Sequence, residues 1–135
     1  MSAAALLGML TGCSDDGPEL APVEGTVLLD GKPLEGATVL FTPNAGGRPA
    51  GGLTDADGHY ALVFTQQRAG ALPGEHTVRV STFREADPDS DREGVREQVP
   101  AKYNVRTELT RSVEPHGNVL DFELDSNGKI IEPRE

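Results

Sequence analysis

The sequence predicts an all-β fold, a single antiparallel β-sandwich of about seven short strands. Sixteen Gly and ten Pro among 135 residues indicate many turns, which suit short strands better than long helices. Apolar residues alternate with polar ones over short runs that Gly, Pro and Asp separate. No stretch has the periodicity of a convincing amphipathic helix. Since short strands without helices bury their apolar faces most simply as two packed sheets, we expect a sandwich.

Three strands are predicted in the first half of the domain. In chain order they are Val23–Leu29, Ala37–Phe41 and a strand that carries Tyr60, Leu62 and Phe64 on its inner face. The first strand ends at Asp30-Gly31, a dipeptide typical of a tight hairpin turn. Pro43 is expected to stop the second strand, because proline lacks the N–H that a ladder needs. A glycine-rich connection is then expected over 44–52.

Three more strands are predicted in the second half: Glu75–Phe83, Thr107–Val113 and Val119–Leu124. Between the first two of these lies the strongly charged segment 84–98, which has no apolar period. This segment predicts a long exposed loop, with a helical turn near its end. The polar tail from 125 to 135 is expected to be frayed.

The N-terminal residues predict a lipid anchor. The apolar run Ala3–Leu10 is too short to span a bilayer, and it leads into Leu10-Thr11-Gly12-Cys13. This tetrapeptide resembles a bacterial lipobox, in which the chain is cut before a cysteine whose thiol carries diacylglycerol. Residues 1–12 are therefore interpreted as a signal peptide, 13–22 as a disordered polar tether, and 23–124 as the domain. Ser14 after the cysteine indicates the outer membrane by resemblance to lipoprotein sorting patterns.

Residues 1–12 alone are shorter than a usual signal peptide. Such peptides run about 15–30 residues and begin with a basic region, whereas no Lys or Arg precedes Cys13. We therefore expect the true start to lie further upstream. The competing interpretation is an apolar N-terminus with an ordinary thiol. Cys13 is the sole cysteine, so an internal disulfide is excluded.

Three motifs in the same order resemble carboxypeptidase regulatory-like domains. The first is the opening over 23–39, which reads VEGTVLLDGKPLEGATV; the second is Thr54–Tyr60, a T-D-x-D-G-x-Y turn that enters a strand; the third is Pro73–Val78. The resemblance covers about 23–124 and implies a transthyretin-like sandwich, which the strand count alone does not separate from an immunoglobulin-like one. It implies a non-catalytic accessory or adhesion-type module.

The turn motif also has a physical interpretation of its own. Asp55 and Asp57 can accept hydrogen bonds from turn amides, while Gly58 supplies a positive φ. Thr54 precedes the turn, and Tyr60 begins the buried alternation of the next strand.

Calcium is the metal that the acidic residues suggest most readily. Asp55 and Asp57 resemble the start of an oxygen-ligand loop, and carboxylates recur at Asp87, Asp89 and Asp91. An EF-hand loop needs Gly at its sixth position and Glu at its twelfth, and neither segment meets that pattern. A solvated turn and an acidic loop are the preferred interpretations, so we expect no metal and no cofactor.

Other chemistries have little support in the sequence. The histidines (His59, His76 and His116) are too scattered for a zinc site, and no serine lies in a G-x-S-x-G motif. No phosphate-binding loop is present. Burial of a lysine for an isopeptide bond is not indicated for Lys32, Lys102 or Lys129. A net charge of −10 without a basic cluster argues against nucleic acid as a partner.

The expected function is that of a lipid-anchored, non-enzymatic module of the cell envelope that binds a protein or a glycan. An accessory lipoprotein that holds a small molecule is the alternative, and a transthyretin-like hydrolase is a weaker one. A concave pocket with converging polar groups would favour the small molecule, whereas an exposed apolar patch would favour a protein partner.

Overall fold

A computed structural model of the protein describes residues 17–91 and 93–132. It confirms an all-β fold of two sheets, and the predicted signal peptide and Cys13 lie outside the described residues. The strands, numbered in chain order, are β1 (Val23–Leu29), β2 (Lys32–Pro33), β3 (Thr38–Pro43), β4 (Ala50–Leu53), β5 (His59–Ala61), β6 (Val63–Thr65), β7 (Arg68–Ala69), β8 (Gly74–Ser81), β9 (Thr110–Val113), β10 (Asn118–Val119) and β11 (Phe122–Leu124). One turn of 3-10 helix, Ala101–Tyr103, precedes β9.

The larger sheet is antiparallel, with the order β7-β6-β4-β3-β8-β9. The smaller sheet is built on β1, which pairs with β5 and β2 along one side. Along its other side β1 pairs in parallel with β10 and β11. The expectation of a wholly antiparallel sandwich is therefore wrong for this side of β1, where the last strands of the domain run in the same direction as the first.

The hairpin predicted at Asp30-Gly31 is present. Leu29 pairs with Lys32 across a two-residue turn, and both turn residues have positive φ, 54° for Asp30 and 83° for Gly31. These angles are those of a type I′ turn, whose twist matches that of the strands that it joins.

The glycine-rich connection predicted over 44–52 is only partly a loop, because β4 occupies its second half. A Cβ on Gly52 would lie 2.5 Å from the carbonyl oxygen of Ala61. Gly52 thus lets the neighbouring chain approach closely at the point where it passes from one sheet to the other. The glycines mark close packing here, although in the sequence they resemble a flexible connection.

The strand predicted around Tyr60–Phe64 is two strands in different sheets. Leu62 lies between them, is buried, and donates its N–H to the carbonyl of Val23 at 2.9 Å. Tyr60 and Leu62 have the predicted inward orientation, whereas Phe64 is only half-buried. The alternation of inward and outward side chains continues while the chain passes from one sheet to the other. The sequence pattern alone therefore does not show the change of sheet.

Other strand bounds also differ from the prediction. The second predicted strand ends at Phe41, whereas β3 extends to Pro43, which is its last residue. The strand predicted from Thr107 begins at Thr110, and the one predicted over Val119–Leu124 is divided into β10 and β11. The division falls at Leu120 and Asp121, which contact β1 through the Leu120 carbonyl oxygen and the Asp121 side chain.

Both ends of the domain pack further than expected. Ala21, assigned to the tether, is completely buried and exchanges backbone hydrogen bonds with Ala71. The tail is not frayed over 125–132, because the Lys129 carbonyl accepts from Ala101 N–H at 2.7 Å and Lys102 pairs with Asp125 at 2.8 Å.

The core lies between the two sheets and is mainly aliphatic. Phe41 of the larger sheet meets Phe122 of the smaller one with ring centroids 6.2 Å apart, and Tyr60 lies at the same distance from Phe122. At the edge of the sandwich the Arg111 guanidinium lies 4.4 Å from the centre of the Phe122 ring. Completely buried valines fill the space around the rings: Val27, Val39, Val78, Val80 and Val99.

The junction of β1 with the C-terminal strands depends on a residue without a side chain. A Cβ on Gly25 would lie 2.0 Å from the Leu120 carbonyl oxygen. That oxygen also accepts from the Tyr60 hydroxyl at 2.5 Å. One residue further along, the Asp121 carboxylate accepts from Thr26 N–H at 2.9 Å, so a side chain replaces a ladder carbonyl at the break between β10 and β11.

Replacing Gly25 by Ala is expected to destabilise the domain by about 3 kcal/mol, because the new methyl group overlaps backbone that cannot move independently. Chemical denaturation gives the free energy of unfolding. Gly117→Ala is the matched control, since nothing lies within 4 Å of a Cβ there, and it should change stability by less than about 0.5 kcal/mol. Equal effects of the two substitutions would contradict the proposed close approach.

Candidate functional site: the 54–60 turn and the outer face of the larger sheet

The 54–60 turn is organised around the Asp55 side chain. Its Oδ1 accepts hydrogen bonds from the backbone N–H groups of Asp57 and His59, each at 2.9 Å. The turn is closed by Gly58 N–H, which donates to the Asp55 carbonyl at 2.9 Å. Gly58 has a φ of 79°, a value that glycine adopts without strain. These bonds, chiefly that from His59 N–H, lower the pKa of Asp55.

The same turn joins several parts of the sandwich. Thr54 Oγ1 accepts from Ala37 N–H at 2.8 Å, and the Gly58 carbonyl accepts from Val27 N–H at 2.8 Å. A Cβ on Gly58 would lie 2.6 Å from the Val27 carbonyl oxygen. Tyr60 is buried, and burial together with the nearby Asp121 carboxylate raises its pKa. The motif thus has a structural role, and its buried members face other strands.

The two aspartates of the motif differ in their surroundings. Asp57 is exposed, and its carboxylate accepts no hydrogen bond from any residue that the structure describes. In the acidic loop, Asp87 accepts from Asp89 N–H at 3.1 Å and from the Ser90 hydroxyl at 2.9 Å. Within 17–91 and 93–132, no three His, Cys, Asp or Glu side chains lie close enough to share a metal ion.

The histidines lie in three unrelated places. His59 pairs with Glu24 at 3.1 Å on the outer face of the smaller sheet, and His116 is exposed. His76 is fully buried beside Phe41, with Nε2 2.7 Å from the Leu72 carbonyl oxygen. Its Nδ1 has no partner among the described residues.

The lysine closest to a carboxylate is Lys102, whose bond to Asp125 raises the pKa of the ammonium and lowers that of the carboxyl. Both side chains are nearly half exposed to solvent. This geometry differs from the buried pair that an isopeptide bond requires.

The outer face of the larger sheet carries an apolar surface. Strand register places Leu40, Gly51 and Val63 side by side across β3, β4 and β6. Leu53 projects from the same face of β4, opposite Thr38. Leu53 and Val63 are 58% and 50% exposed, which is unusual for large apolar residues on neighbouring strands. Together with Val105, which is 45% exposed at one end of this face, they form what we call the outer apolar face: Leu40, Leu53, Val63 and Val105.

A cavity of about 200 Å³ lies at the Val105 end of this face. Its walls include Leu40 and Val105, and Arg79 lies at its rim. Glu97 and Asn104 also line it, although each is only 5% exposed. These two polar side chains therefore form its floor.

Glu97 is the least expected residue of this region, because it belongs to the loop that was predicted to be exposed. One carboxylate oxygen accepts from the Ser81 hydroxyl at 2.5 Å. The other accepts from the N–H groups of Thr82, at 2.9 Å, and Val99, at 3.1 Å. Asn104 holds the same segment by donating to the Val80 carbonyl at 3.0 Å. The buried side chains of Glu97 and Asn104 thus hold the end of the charged loop against β8 through hydrogen bonds.

Two other cavities lie elsewhere on the molecule. One of about 330 Å³ is mostly apolar and includes Pro22, Leu62 and Val119. The other, of about 450 Å³, is open and lies between 83–86 and 94–96, with Arg84 and Arg96 in its lining.

The protein is an all-β sandwich of two sheets. The 54–60 turn motif joins strands of this sandwich. No helix among the described residues has both the length and the apolar character to cross a bilayer.

No protein-family model matches the chain, and no curated protein matches it. One structural neighbour is a DUF3823 family protein from Parabacteroides merdae, with 14% identity and a TM-score of 0.42; the match covers 81% of this chain and 47% of that one. Another is a 9R-lipoxygenase from Cyanothece, with 17% identity and a TM-score of 0.42, over 84% of this chain and 18% of that one. This chain thus spans about half the length of the first neighbour and less than a fifth of the second.

Asp55→Ala is expected to lower the melting temperature, whereas Asp55→Asn should lower it less because an amide oxygen can keep both turn bonds. Asp57→Ala is the matched control and should have little effect. Since folding lowers the pKa of Asp55, the stabilisation from its charge is present above the ordinary aspartate pKa of about 3.9. It is lost as pH falls through the lower folded value.

Melting curves of the wild type and both alanine variants between pH 7 and pH 2 test this prediction. Addition of calcium or EDTA should leave them unchanged. A rise of melting temperature with calcium that Asp57→Asn abolishes would instead make the turn a metal site.

Proposed function

We propose that this protein is a lipid-anchored, non-catalytic β-sandwich module of the bacterial envelope that binds another protein through its outer apolar face. The observation that carries the proposal is the exposure of Leu53 and Val63 on neighbouring strands of one sheet face. Exposed apolar side chains that lie together mark interaction surfaces, whereas isolated ones need no explanation.

The surroundings of this face favour a protein surface as the partner. Serine and threonine side chains flank its apolar residues, for example Thr38, Thr42 and Ser81. On β3, β4 and β6 no charged side chain lies among Leu40, Leu53 and Val63, whereas Arg79 of β8 lies directly beside Leu40. Depletion of charge is typical of the centre of a protein interface.

A glycan is the less favoured partner because recognition of a sugar ring usually needs an exposed aromatic side chain. All six aromatic residues lie within the described part of the chain, and all are buried or only partly exposed: Phe41, Tyr60, Phe64, Phe83, Phe122 and Tyr103. None of them provides an open platform for stacking.

The proposed absence of catalysis rests on what the polar groups of the motif do. The oxygen of Asp55 that faces the turn is occupied by two amides, and the Tyr60 hydroxyl is bonded to a carbonyl in the interior. These groups are committed to the fold. A role without chemistry also agrees with the resemblance of the three motifs to carboxypeptidase regulatory-like domains.

A second candidate is an accessory lipoprotein that holds a small molecule. The open cavity between 83–86 and 94–96 is the observation in its favour, since Arg84, Arg96 and Glu85 line it. Arg96 is 86% exposed, however, so the cavity offers little desolvation to a ligand. The outer apolar face is therefore the better-supported binding surface.

The lipid anchor is supported by the lipobox resemblance at Cys13. We expect the Cys13→Ala variant to accumulate in unprocessed or soluble form. Globomycin, which blocks the lipoprotein signal peptidase, should likewise cause the wild-type precursor to accumulate. Membrane fractionation and mass measurement of the N-terminal peptide provide the readout. Membrane retention of the alanine variant would overturn the assignment.

The interaction surface can be tested with a photo-crosslinking amino acid at Val63, in the envelope of the source organism. A defined adduct is expected there, and Leu53→Asp should abolish it without changing the melting temperature because Leu53 is largely exposed. Val119 is the matched control position: it is 69% exposed but belongs to the smaller sheet. Equal labelling from both positions, or adducts that survive Leu53→Asp, would contradict a specific interface.

A further inference from the structure

The cavity at the Val105 end of the outer apolar face combines an apolar wall with a charged floor. Leu40 and Val105 provide the wall, and Glu97, whose carboxylate lies 2.5 Å from the Ser81 hydroxyl, is a buried residue of the same lining. The cavity measures about 200 Å³, enough for one side chain and too little for a large ligand.

Glu97 has no cationic partner among the described residues. The N–H groups of Thr82 and Val99 donate to one carboxylate oxygen, and the other oxygen lies 2.5 Å from the Ser81 hydroxyl. These partners are all uncharged, and the Thr82 hydroxyl donates its single proton to the Arg96 carbonyl at 2.9 Å. No ion pair involves Glu97 within the described part of the chain.

Neutral donors can hold a buried carboxylate without cancelling its field. Because Glu97 is buried, that field is screened less than it would be in water. A cation that enters the cavity therefore gains more from Glu97 than it would from an exposed carboxylate, and it also gains burial of its apolar part.

We propose that this cavity binds an alkylammonium group, supplied by a lysine side chain of the protein partner that covers the outer apolar face. Lysine has a flexible methylene stem that matches the Leu40 and Val105 wall, and its compact ammonium can reach the carboxylate edge and the Ser81 hydroxyl. Arginine matches less well because its planar guanidinium favours bidentate contacts, whereas the second Glu97 oxygen is already occupied by backbone donors. The partner class rests on the proposed function, but the cavity can be tested without the partner.

The positive charge of Arg79 allows a second test, because removing it should change the affinity for a cation in a predictable direction. It lies at the rim of the same cavity and is exposed. A positive rim opposes entry of a cation, so Arg79→Gln should strengthen binding of an ammonium. If Arg79 were instead the ligand for an anion, the same substitution would abolish binding.

The test is an NMR titration of the full chain, carrying Cys13→Ser so that it cannot be acylated, with n-butylammonium, n-butanol and butyrate as probes. The proposal predicts shifts of the Leu40 and Val105 methyl groups with n-butylammonium at a Kd about ten-fold below that for n-butanol. Butyrate should bind least. Arg79→Gln should tighten n-butylammonium binding by about three-fold at low salt, and high salt should reduce this difference.

Glu97→Gln should remove the preference for n-butylammonium over n-butanol while both probes still contact the methyl groups. Should that variant fail to fold, the comparison of the three probes and the Arg79→Gln variant decide the matter. Equal affinity for n-butylammonium and n-butanol, or weaker n-butylammonium binding by Arg79→Gln, would overturn the proposal. Loss of the Val63 adduct in cells with intact n-butylammonium binding would contradict the proposed function and leave the cavity site standing.

Discussion

The sandwich depends on the contact between the Gly25 backbone and the carbonyl of Leu120. Because Gly25 has no side chain, Leu120 can bring its oxygen into the layer of β1, where the Tyr60 hydroxyl satisfies it. Tyr60 is the last residue of the 54–60 turn, so the position of that turn is coupled to the contact between the first and last strands. A buried hydroxyl without its acceptor would be costly, and this requirement fixes Tyr60, Leu120 and β1 relative to one another.

A second set of buried polar groups holds the charged half of the chain. Glu97 and Asn104 bind the backbone around the end of β8, where β9 no longer covers the strand. The Thr107 hydroxyl also bonds to this edge, through the Val78 carbonyl. These side chains take the place of a neighbouring strand and so protect a sheet edge that could otherwise pair with another chain. The same arrangement leaves the face of the sheet, with Leu53 and Val63, open for contact.

The sequence predicted the parts of the fold that follow from local physics. Val23–Leu29 alternates through a single sheet and was predicted at its observed bounds, and Asp30-Gly31 specifies its turn directly. The outcome differed where a residue's role depends on a distant neighbour. In the sequence Gly52 resembles a loop residue, because only the folded chain brings Ala61 beside it. Glu97 likewise resembles its exposed acidic neighbours, because its hydrogen bonds to the end of β8 exist only in the fold. The position of Leu40 on the outer face follows from the sequence, because alternation places it on the side of the strand away from Val39 and Phe41.

The parallel pairing of β1 with β10 and β11 governs how the chain can fold as it is made. Thr26 bonds to Asp121, which lies 95 residues further along the chain. The smaller sheet therefore cannot be completed until almost the whole domain has been synthesised. Long-range closure of this kind is slow compared with the formation of local hairpins. A chain that emerges from its N-terminus therefore remains open until its last strands arrive.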